Sequence, residues 1–587
     1  MKKKITSLLL IIATLITLVA CAPKVPPTET EPQEGEVTTA PVTEVESLPE
    51  TTPEEQKKGV TLFEDGKWNF RIVTKSVRSQ DEIDFSFALS QAMSTLTGKA
   101  PHTANDLAIK PDDVCEIIIG HTKHPIMASL YSELGYGEAT VRVIGNKILI
   151  GAYTADGYDK LLAHLISVLT AGYSGGKLSA TVERIEETVI VNETLNVLPT
   201  ASMLEFSGIT DCGLNQTLII HNGGTPQIFE QYVKGYEKYE CVSEVYDSGN
   251  CFATFDLGKD TVNVSYSNGD KCLRIIHARN TEPASLLKKG ADTKAVCEPM
   301  IIMHGLGWKQ SGYKTYQNGL CLIIRIADGR FLVVDGGFDR KKDADDLYKL
   351  LKDNTPSGMD TVIAAWFITH AHSDHHSTFA SAFMKDYRSK VKVETVIFNP
   401  PAGDIFTGES AQSLMSGQQL VATVATVAYK AELIRPHVGD RYYIGDTVID
   451  MLYTVDYQYP QQFEYYNMSS IIFSLKIAGQ RMIITGDGAN SSFDKMVKMY
   501  GSSLKADIVQ VAHHGYGTGV SANASTGVMQ GYTYMSPSLV LWPIGESGFN
   551  SVQNAVYNVT IKTLPSVKKI IVAEDSDHVV MLPFKAS

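Results

Sequence analysis

The chain is short of basic charge. Lys and Arg number 52 against 65 Asp and Glu, and the formal net charge is −13 at pH 7. Acidic residues still outnumber basic ones when the first 58 residues are set aside. Generic binding to nucleic acid relies on a basic surface that releases counterions. We therefore expect no generic nucleic-acid binding, and the acidic body argues against a processive nuclease.

Paired cysteines are also lacking. The chain has 8 Cys, and no two of them form a C-x-x-C pair. With Cys21 set apart at the N terminus, an odd number remains, so they cannot all pair within one chain. We interpret the remainder mainly as small buried side chains, with one or two disulfides in the middle of the chain as the alternative. These residues are Cys115, Cys212, Cys241, Cys251, Cys272, Cys297 and Cys321.

Residues 1–21 have the features of a targeting segment. Lysines at 2–4 precede an apolar run over 5–20 that is too short for a comfortable membrane span. The run ends in LVAC, which resembles the lipobox of bacterial lipoproteins and implies acylation of Cys21. Acyl chains anchor a protein to a membrane. We expect an extracytoplasmic lipoprotein held at the cell membrane, with a plain secretory signal as the alternative.

Residues 22–58 form a predicted linker. The segment has no aromatic residue and is dominated by Pro, Thr and Glu. It therefore cannot bury enough apolar surface to offset the entropy lost on ordering. Its span lies between about 35 Å as a flexible coil and about 110 Å as a polyproline-type rod. The linker thus gives the folded body reach from its anchor.

Residues 59–200 have the pattern of an α/β domain. Strand-like runs such as EIIIG alternate with segments of helical spacing, and a hairpin is predicted around Gly145-Asn146-Lys147. The order strand, short helix, hairpin, helix resembles the small N-terminal domain of β-hexosaminidases and related glycosidases. That domain is not catalytic. The resemblance implies contact with a cell-wall polymer or another glycan.

Residues 203–298 predict a small α+β domain. A helix is expected from about Pro226 to Tyr239, followed by three strand-like runs, and SNGD at 267–270 is a hairpin turn signal. No motif in this segment carries chemistry. We expect a spacer or a recognition surface.

The chemistry lies in residues 369–377, THAHSDHHS, directly after the apolar run AAWFI. A buried strand that ends in imidazoles and a carboxylate is costly unless these groups find partners, and a metal ion supplies one. His370 and His372 alternate and can point the same way, whereas Asp374 and His375 can address a second position. Such ligands suit zinc, with manganese or iron as alternatives. We expect two divalent metal ions, with a histidine-rich surface loop as the alternative interpretation.

This motif resembles the first metal motif of the metallo-β-lactamase superfamily, and further landmarks follow in that family's order. RFLVVDGGFD carries Asp335 upstream, TGD carries Asp487, and HHG carries His513 and His514. TGD followed by HHG is most similar to the ComEC-like branch. The resemblance covers about residues 299–587. It implies an αββα sandwich of two sheets, with every strand-end motif at one edge.

The resemblance also implies roles for individual side chains. One histidine of the pair at 513 and 514 is a ligand, and the other donates a proton to the substrate or the leaving group. His376 and His437 are interpreted as loop residues outside the ligand set. The expected metal ligands are His370, His372, Asp374, His375, Asp487, which bridges the ions, and His513. The expected catalytic residues are Asp374 and His514, and Asp335 and Asn467 are expected to support the ligands.

The chain departs from the family pattern at one ligand. Hydrolases with a complete first site have a third histidine about twenty residues before the bridging aspartate, where this sequence has Asn467. Asn is a poor zinc ligand, so the first site keeps only His370 and His372 from this set. The N-x-x-S pattern of Asn467 and Ser470 is itself similar to the ComEC-like branch. An authentic β-lactamase is therefore disfavoured.

Three functions remain open from the sequence. The first is a cell-surface hydrolase that cleaves a phosphoester with a hydroxide held between two metal ions. The second is a hydrolase of a lactone or thioester, which the missing third histidine disfavours. The third is a glycan-binding lipoprotein with a silent metal domain. A silent domain has no physical need for clustered ligands, so the first hypothesis is preferred.

Overall fold

The computed structural model describes residues 47–49, 51–107, 114–306, 318–402, 406–428, 430–517, 526–574 and 576–586. The predicted targeting segment, Cys21 and most of the linker lie outside these ranges. Within them, no helix combines the length and the apolar character needed to cross a bilayer.

The N-terminal part contains two sheets. Its helices are α1 (Pro53–Gln56), α2 (Gln80–Thr97), α3 (Pro125–Glu133), α4 (Ala155–Gly172) and α5 (Val182–Ile185). Its strands are β1 (Gly59–Glu64), β2 (Lys67–Trp68), β3 (Arg71–Thr74), β4 (Thr103–Asn105), β5 (Glu116–Ile119), β6 (Glu138–Ile144), β7 (Lys147–Ala152), β8 (Tyr173–Ser174), β9 (Lys177–Thr181) and β10 (Glu187–Ile190). The sheet orders are β2-β1-β9-β8 and β10-β6-β7-β5-β3-β4.

Local sequence signals account for several of these elements. Helix α2 begins at a capping box in which Ser79 and Glu82 satisfy each other's backbone N–H groups. It ends at Gly98, which has the left-handed φ of 72° that glycine adopts without a Cβ clash. Strands β6 and β7 form an antiparallel hairpin. The predicted hairpin around residues 145–147 is therefore confirmed.

The middle part is one antiparallel sheet with one helix. Its elements are β11 (Glu205–Asp211), β12 (Gln216–Asn222), α6 (Pro226–Val233), β13 (Glu240–Asp247), β14 (Asn250–Asp256), β15 (Thr261–Ser267) and β16 (Cys272–Ala278). The sheet order is β11-β12-β16-β15-β14-β13. Helix α6 stops six residues before the predicted end and continues only as a 3₁₀ turn over Lys234–Tyr236.

The cysteines are free thiols. All seven that the structure describes are unpaired, so the alternative of one or two disulfides is not realised. Four of them are buried, in agreement with the interpretation as small core side chains: Cys212, Cys251, Cys272 and Cys321. Cys241 is exposed, which corrects that interpretation at this position.

The C-terminal part contains two mixed seven-stranded sheets. Their orders are β22-β21-β20-β19-β18-β17-β30 and β23-β24-β25-β26-β27-β28-β29. The strands are β17 (Met300–Met303), β18 (Cys321–Arg325), β19 (Phe331–Asp335), β20 (Val362–Phe367), β21 (Lys392–Ile397), β22 (Glu432–Ile434), β23 (Arg441–Ile444), β24 (Thr447–Tyr453), β25 (Ile472–Ile477), β26 (Gln480–Ile484), β27 (Ile508–Gln510), β28 (Leu539–Trp542), β29 (Lys569–Val572) and β30 (His578–Met581). The helices are α7 (Lys341–Asp353), α8 (Ser373–Ser377), α9 (Met384–Tyr387), α10 (Ala411–Val427), α11 (Asn490–Tyr500), α12 (Thr526–Met535), α13 (Glu546–Val552) and α14 (Val556–Thr563).

The two sheets pack face to face. Phe367 of β20 stacks on Phe473 of β25 with ring centroids 4.4 Å apart, and both belong to one core that spans the sheets. A second core places Phe493 of α11 and Tyr532 of α12 against Val509 of β27. Helices therefore cover the outer face of the second sheet. This mixed α/β architecture is consistent with the sandwich implied by the resemblance.

Parallel pairing within each sheet brings the candidate metal-binding motifs to the carboxyl ends of the strands. Strand β19 runs parallel to β20, and β26 runs parallel to β27. Their carboxyl ends lead into Asp335, residues 369–377, Asp487 and His514 respectively. Because carboxyl ends of parallel strands share an edge, residues separated by up to 179 positions converge there.

Candidate metal centre

The segment after β20 supplies most of the candidate ligands. His370 lies three residues after the end of the strand, and His375 lies in the short helix α8. Relative exposures of 1% for His370 and 0% for His375 show that both rings are fully removed from solvent. Buried imidazoles need partners, so their contacts define the site.

The first group of candidate ligands is His370, His372 and Asp487. His370 Nε2 lies 3.0 Å from His372 Nδ1. The same His370 nitrogen lies 3.8 Å from Asp487 Oδ2. His372 is the most accessible member, with a side-chain exposure of 23%.

The second group is Asp374, His375 and His514. The Nε2 atoms of His375 and His514 are 3.2 Å apart. Asp374 Oδ2 lies 3.5 Å from His514 Nε2 and 3.9 Å from His375 Nε2. Asp374 also accepts a hydrogen bond from Asn318 Nδ2.

Asp487 lies between the two groups. Its Oδ2 is 3.2 Å from His375 Nε2 and 3.8 Å from His370 Nε2, and its Oδ1 is 3.4 Å from His514 Nε2. Its backbone N–H donates to Ser470 Oγ, which fixes the start of the loop. One carboxylate thus faces both groups, as expected of a bridging ligand.

The second group has its ring tautomers fixed from outside. His375 Nδ1 lies 2.7 Å from Asp335 Oδ2, and a carboxylate can only accept, so this nitrogen carries the proton. His514 Nδ1 donates to the carbonyl of Pro543 at 2.9 Å in the same way. In the neutral form of each ring the lone pair is therefore on Nε2, and the two Nε2 atoms face each other.

Hydrogen bonds also fix the ring tautomers of His370 and His372 in the first group. Thr369 Oγ1 donates to Asp335 Oδ2 at 2.7 Å, so it accepts from His370 Nδ1 at 3.1 Å. His372 Nε2 donates to Glu409 Oε1 at 2.9 Å. His370 Nε2 and His372 Nδ1 are consequently the lone-pair atoms, and they face one another. Orientation of ligand histidines by such partners is the rule in metal sites.

These contacts fit a divalent cation in each group. Four imidazole lone pairs and two carboxylates converge, and acceptors alone cannot satisfy one another. Asp487 Oδ1 is buried without a hydrogen-bond partner in the part of the chain that the structure describes. A positive charge at the centre of each group would relieve this arrangement.

The pKa values of His375 and His514 also show that the surrounding carboxylates favour a positive charge here. Burial disfavours the charged form of His375, but the carboxylates of Asp487, Asp335 and Asp374 hold its pKa well above the ordinary value. Burial is likewise outweighed at His514, where Asp487 and Asp374 raise the pKa to about 9. Without a bound ion, the rings of His375 and His514 therefore hold protons at the positions that face the carboxylates.

The pKa values of Asp487 and His370, in contrast, are lowered. Burial would raise the pKa of Asp487, but His375 and His514 lower it well below its ordinary value. Burial and the neighbouring His375 lower the pKa of His370 far below its usual range. The site therefore presents charged carboxylates and a neutral imidazole.

The structure distributes the 513–514 pair differently from the sequence prediction. His514, expected as a catalytic acid, lies in the second ligand group, and His513, expected as the ligand, lies outside both groups. His513 Nε2 is 3.8 Å from Asp487 Oδ2, its Nδ1 donates to the Gly517 carbonyl at 2.9 Å, and its side chain is 26% exposed. Left-handed φ angles of 49° and 53° at the pair turn the two rings in different directions.

The other predicted residues are also brought to this edge. Asp335 contacts Thr369 and His375 as a supporting carboxylate. Asn467 is buried in the 3₁₀ helix Tyr466–Ser469 beside the site, and its backbone carbonyl accepts from Ser470. His376, interpreted as a turn residue, lies buried inside α8, and both of its ring nitrogens lack partners within the described ranges.

Glu409 is the functional residue that the sequence did not indicate. It is 4% exposed at its side chain and accepts from both His372 Nε2 and the backbone N–H of Tyr466, the latter at 2.6 Å. Burial opposes its ionisation, but these two donors lower its pKa below the ordinary value. Glu409 precedes α10 in a loop without any motif, so no local pattern marks it.

Comparison with known proteins gives distant structural similarities only. No protein-family profile and no curated protein matches the chain. Among solved structures, Tm1679, described as a metal-dependent hydrolase of the β-lactamase superfamily, is 11% identical, with 48% of this chain and 99% of that chain covered and a TM-score of 0.29. A CmlA β-hydroxylase variant is 12% identical, with coverages of 68% and 74% and a TM-score of 0.29. Zinc-bound PqqB from Methylobacterium extorquens is 9% identical, with coverages of 48% and 100% and a TM-score of 0.30.

Proposed function

We propose that this chain is a metal-dependent hydrolase of phosphoesters that uses two divalent ions, with zinc favoured over manganese or iron. One observation carries the proposal: two groups of three ligands lie at one strand edge, with Asp487 facing both. Imidazole and carboxylate donors suit these metals. When bound, such ions act as Lewis acids, lower the pKa of water and neutralise charge on a phosphoryl group.

The residues of the chain then have distinct tasks. Asp335 and Glu409 hold the ligand rings so that the lone pairs stay directed inward. His513 is available for proton transfer, because its Nδ1 is fixed on the Gly517 carbonyl and its Nε2 is the free atom. Its partial exposure places Nε2 within reach of a leaving-group oxygen at the mouth of the site.

A phosphoester is preferred over a lactone or thioester because of the first group. Asn467 stands in the register of a third histidine, so the protein supplies only two imidazoles and the shared carboxylate there. A metal ion with few protein ligands has open coordination positions that substrate oxygens can occupy. A phosphoryl group has several such oxygens, whereas a lactone carbonyl has one.

We further propose that the enzyme works outside the cytoplasm on a lipid anchor. The LVAC sequence at Cys21 and the extended composition of residues 22–58 support this location. The parts of the chain before residue 299 would then contact the cell wall or another glycan. Assay of the membrane fraction, compared with a Cys21→Ala variant that should be released, tests the anchor.

The decisive experiment measures metal content per chain on the purified protein, together with hydrolysis of bis(p-nitrophenyl) phosphate before and after chelation. We expect two ions per chain and chelator-sensitive activity that Asp487→Asn abolishes. Asp446→Asn, at an exposed turn between β23 and β24, is the matched control and should leave both unchanged. Failure to bind zinc, manganese or iron would overturn the proposal, and bound metal without phosphodiesterase activity would overturn the substrate class.

A further inference from the structure

A cavity of about 270 Å³ lies between the middle sheet and the C-terminal part, apart from the ligand groups described above. One wall is formed by the sheet strands β12, β14, β15 and β16, and the other by α10 together with β21 and β22. The second wall is apolar. Its side chains include Val396, Phe398, Val421, Val424 and Leu287.

The cavity contains a buried carboxylate. Asp440 is 6% exposed and lines the cavity. Its Oδ2 accepts from Tyr442 Oη at 2.7 Å and from the His437 backbone N–H at 2.8 Å, and its Oδ1 lies 3.4 Å from Asn263 Nδ2. Within the described ranges no Lys or Arg forms an ion pair with it. Burial raises the pKa of Asp440 despite these donors.

A second acceptor in the cavity lacks a hydrogen-bond partner among the described residues. Gln216 is 4% exposed, and its Oε1 is buried without a hydrogen bond from any residue that the structure describes. The residue lines the same cavity as Asp440. Leaving a buried amide oxygen unsatisfied costs about 1–3 kcal/mol, so an N–H or O–H group supplied by a ligand would be stabilising.

His437 adds a third acceptor to the lining. Its Nδ1 donates to Asp456 Oδ2 at 2.7 Å, and Asp456 also accepts from Thr454 Oγ1 at 2.8 Å. The ring is thereby held with its lone pair on Nε2. The histidine that the sequence placed outside the ligand set thus belongs to this cavity.

Acidic side chains outnumber basic ones on the lining of the cavity. Glu282 and Glu432 join Asp440 as acids. Arg435 is the cation on the lining, and its guanidinium already donates to the carbonyls of Cys212 and Gly213. The cavity therefore combines acceptors and negative charge with a hydrocarbon surface along α10.

We propose that this cavity binds a small organic ammonium, with its N–H groups on Asp440 and Gln216 and its apolar group against α10. The carboxylate of Asp440 would hold the cationic charge, and Gln216 Oε1, which lacks a partner among the described residues, belongs to the same lining. The volume lies just below the range of about 300–1,000 Å³ that holds drug-sized ligands, so the ligand is a small amine with one ring or a short branched chain.

The test uses three probes on the purified full chain: phenethylamine, the isosteric 2-phenylethanol and the slightly larger anion 3-phenylpropionate. Calorimetry and thermal unfolding should show saturable binding and a raised melting temperature with the amine only. Asp440→Asn keeps the contacts to Tyr442 and His437 but removes the charge, and should weaken amine binding about tenfold or more. Gln216→Leu should weaken it as well, and provides a second variant if the first does not fold.

Two controls separate this site from the metal centre. Asp487→Asn should bind phenethylamine as the wild type does. Val424→Trp should fill the cavity and abolish binding while the melting temperature is kept. The proposal is overturned if no probe binds, if the alcohol binds as well as the amine, or if the variants at 440, 216 and 424 leave amine binding unchanged.

Discussion

His372 lies between His370 and Glu409, with Nδ1 3.0 Å from His370 Nε2 and Nε2 2.9 Å from Glu409 Oε1. The carboxylate decides which nitrogen of the ring is free for a metal ion. We expect Glu409→Ala to weaken binding of the first-group ion about 10- to 100-fold, the usual effect of losing such a partner. Competition with a zinc chelator measures this affinity.

Two further variants show whether the effect comes from the hydrogen bond. Glu409→Gln keeps an acceptor for His372 Nε2 and should recover part of the affinity. Glu464→Ala removes an exposed glutamate from the neighbouring loop and should bind metal normally. Equal affinities for all four proteins would show that Glu409 does not orient His372.

Ligand variants should remove the ions selectively. His372→Ala removes a ligand only from the first group, and His514→Ala removes one only from the second, so each should bind one ion per chain at saturating metal, more weakly than the wild type does. Asp487→Ala takes a carboxylate from both groups and should lose both ions. Metal analysis after gel filtration gives the stoichiometry. A His513→Ala variant that also lost an ion would place His513 back among the ligands.

Asp335 should contribute to stability as well as to metal binding. Its two oxygens accept from the Thr369 backbone N–H at 2.8 Å and from Thr369 Oγ1 at 2.7 Å inside the core, where its own exposure is 0%. Its φ of 56° is left-handed, which Asn tolerates and most residues do not. We expect Asp335→Ala to lower the free energy of unfolding by about 2–4 kcal/mol and Asp335→Asn by less. Denaturant titration of the metal-free protein separates the two effects.

Low pH should reduce the free energy of unfolding through His221, which joins the middle sheet to Tyr136 of the N-terminal part. Burial and the nearby His121 lower the pKa of His221 to about 3, and its Nε2 accepts from Tyr136 Oη at 2.8 Å. Because the folded pKa lies below the unfolded one, this contribution is complete above about pH 6.5 and is lost as the pH falls toward 3. The loss amounts to about 1 kcal/mol per pH unit within that window.

The matched variants are His221→Gln and His102→Gln, the latter at an exposed histidine. The first should be less stable at pH 7 but should show a flatter decline in unfolding free energy between pH 6 and 4. The second should follow the wild-type curve. Parallel curves for all three proteins would show that the pKa of His221 does not differ between the folded and unfolded states.

Gly515 should resist any side chain. Its φ is 86°, and an added Cβ would lie 2.7 Å from the indole of Trp542, whose Nε1 donates to the His514 carbonyl. We expect Gly515→Ala to cost about 1–3 kcal/mol of stability and to shift His514 away from its group. Gly517→Ala, whose added Cβ would meet only Tyr557 Oη at 3.7 Å, is the control and should be tolerated. Unfolding midpoints and metal stoichiometry report the two effects.

The sequence predicted those features that follow from local pattern. Turn residues located the β6–β7 hairpin, and the motifs at 370–375 and 487 lie at the edge to which strand ends lead. The choice between His513 and His514 depends on two left-handed backbone positions, which no residue type at those positions specifies. Glu409 and the cavity at Asp440 arise from packing between segments that are distant along the chain. Contacts of that kind have no local signature.

Asp335 acts on both ligand groups at once, directly through His375 and through Thr369 on His370. A first ion that fixes His375 also fixes this carboxylate, and with it the ring that must receive the second ion. We therefore expect the pair to load cooperatively, so that partly loaded chains are scarce at intermediate metal concentrations. A metal centre built in this way would respond to metal supply as a threshold and not in proportion to it.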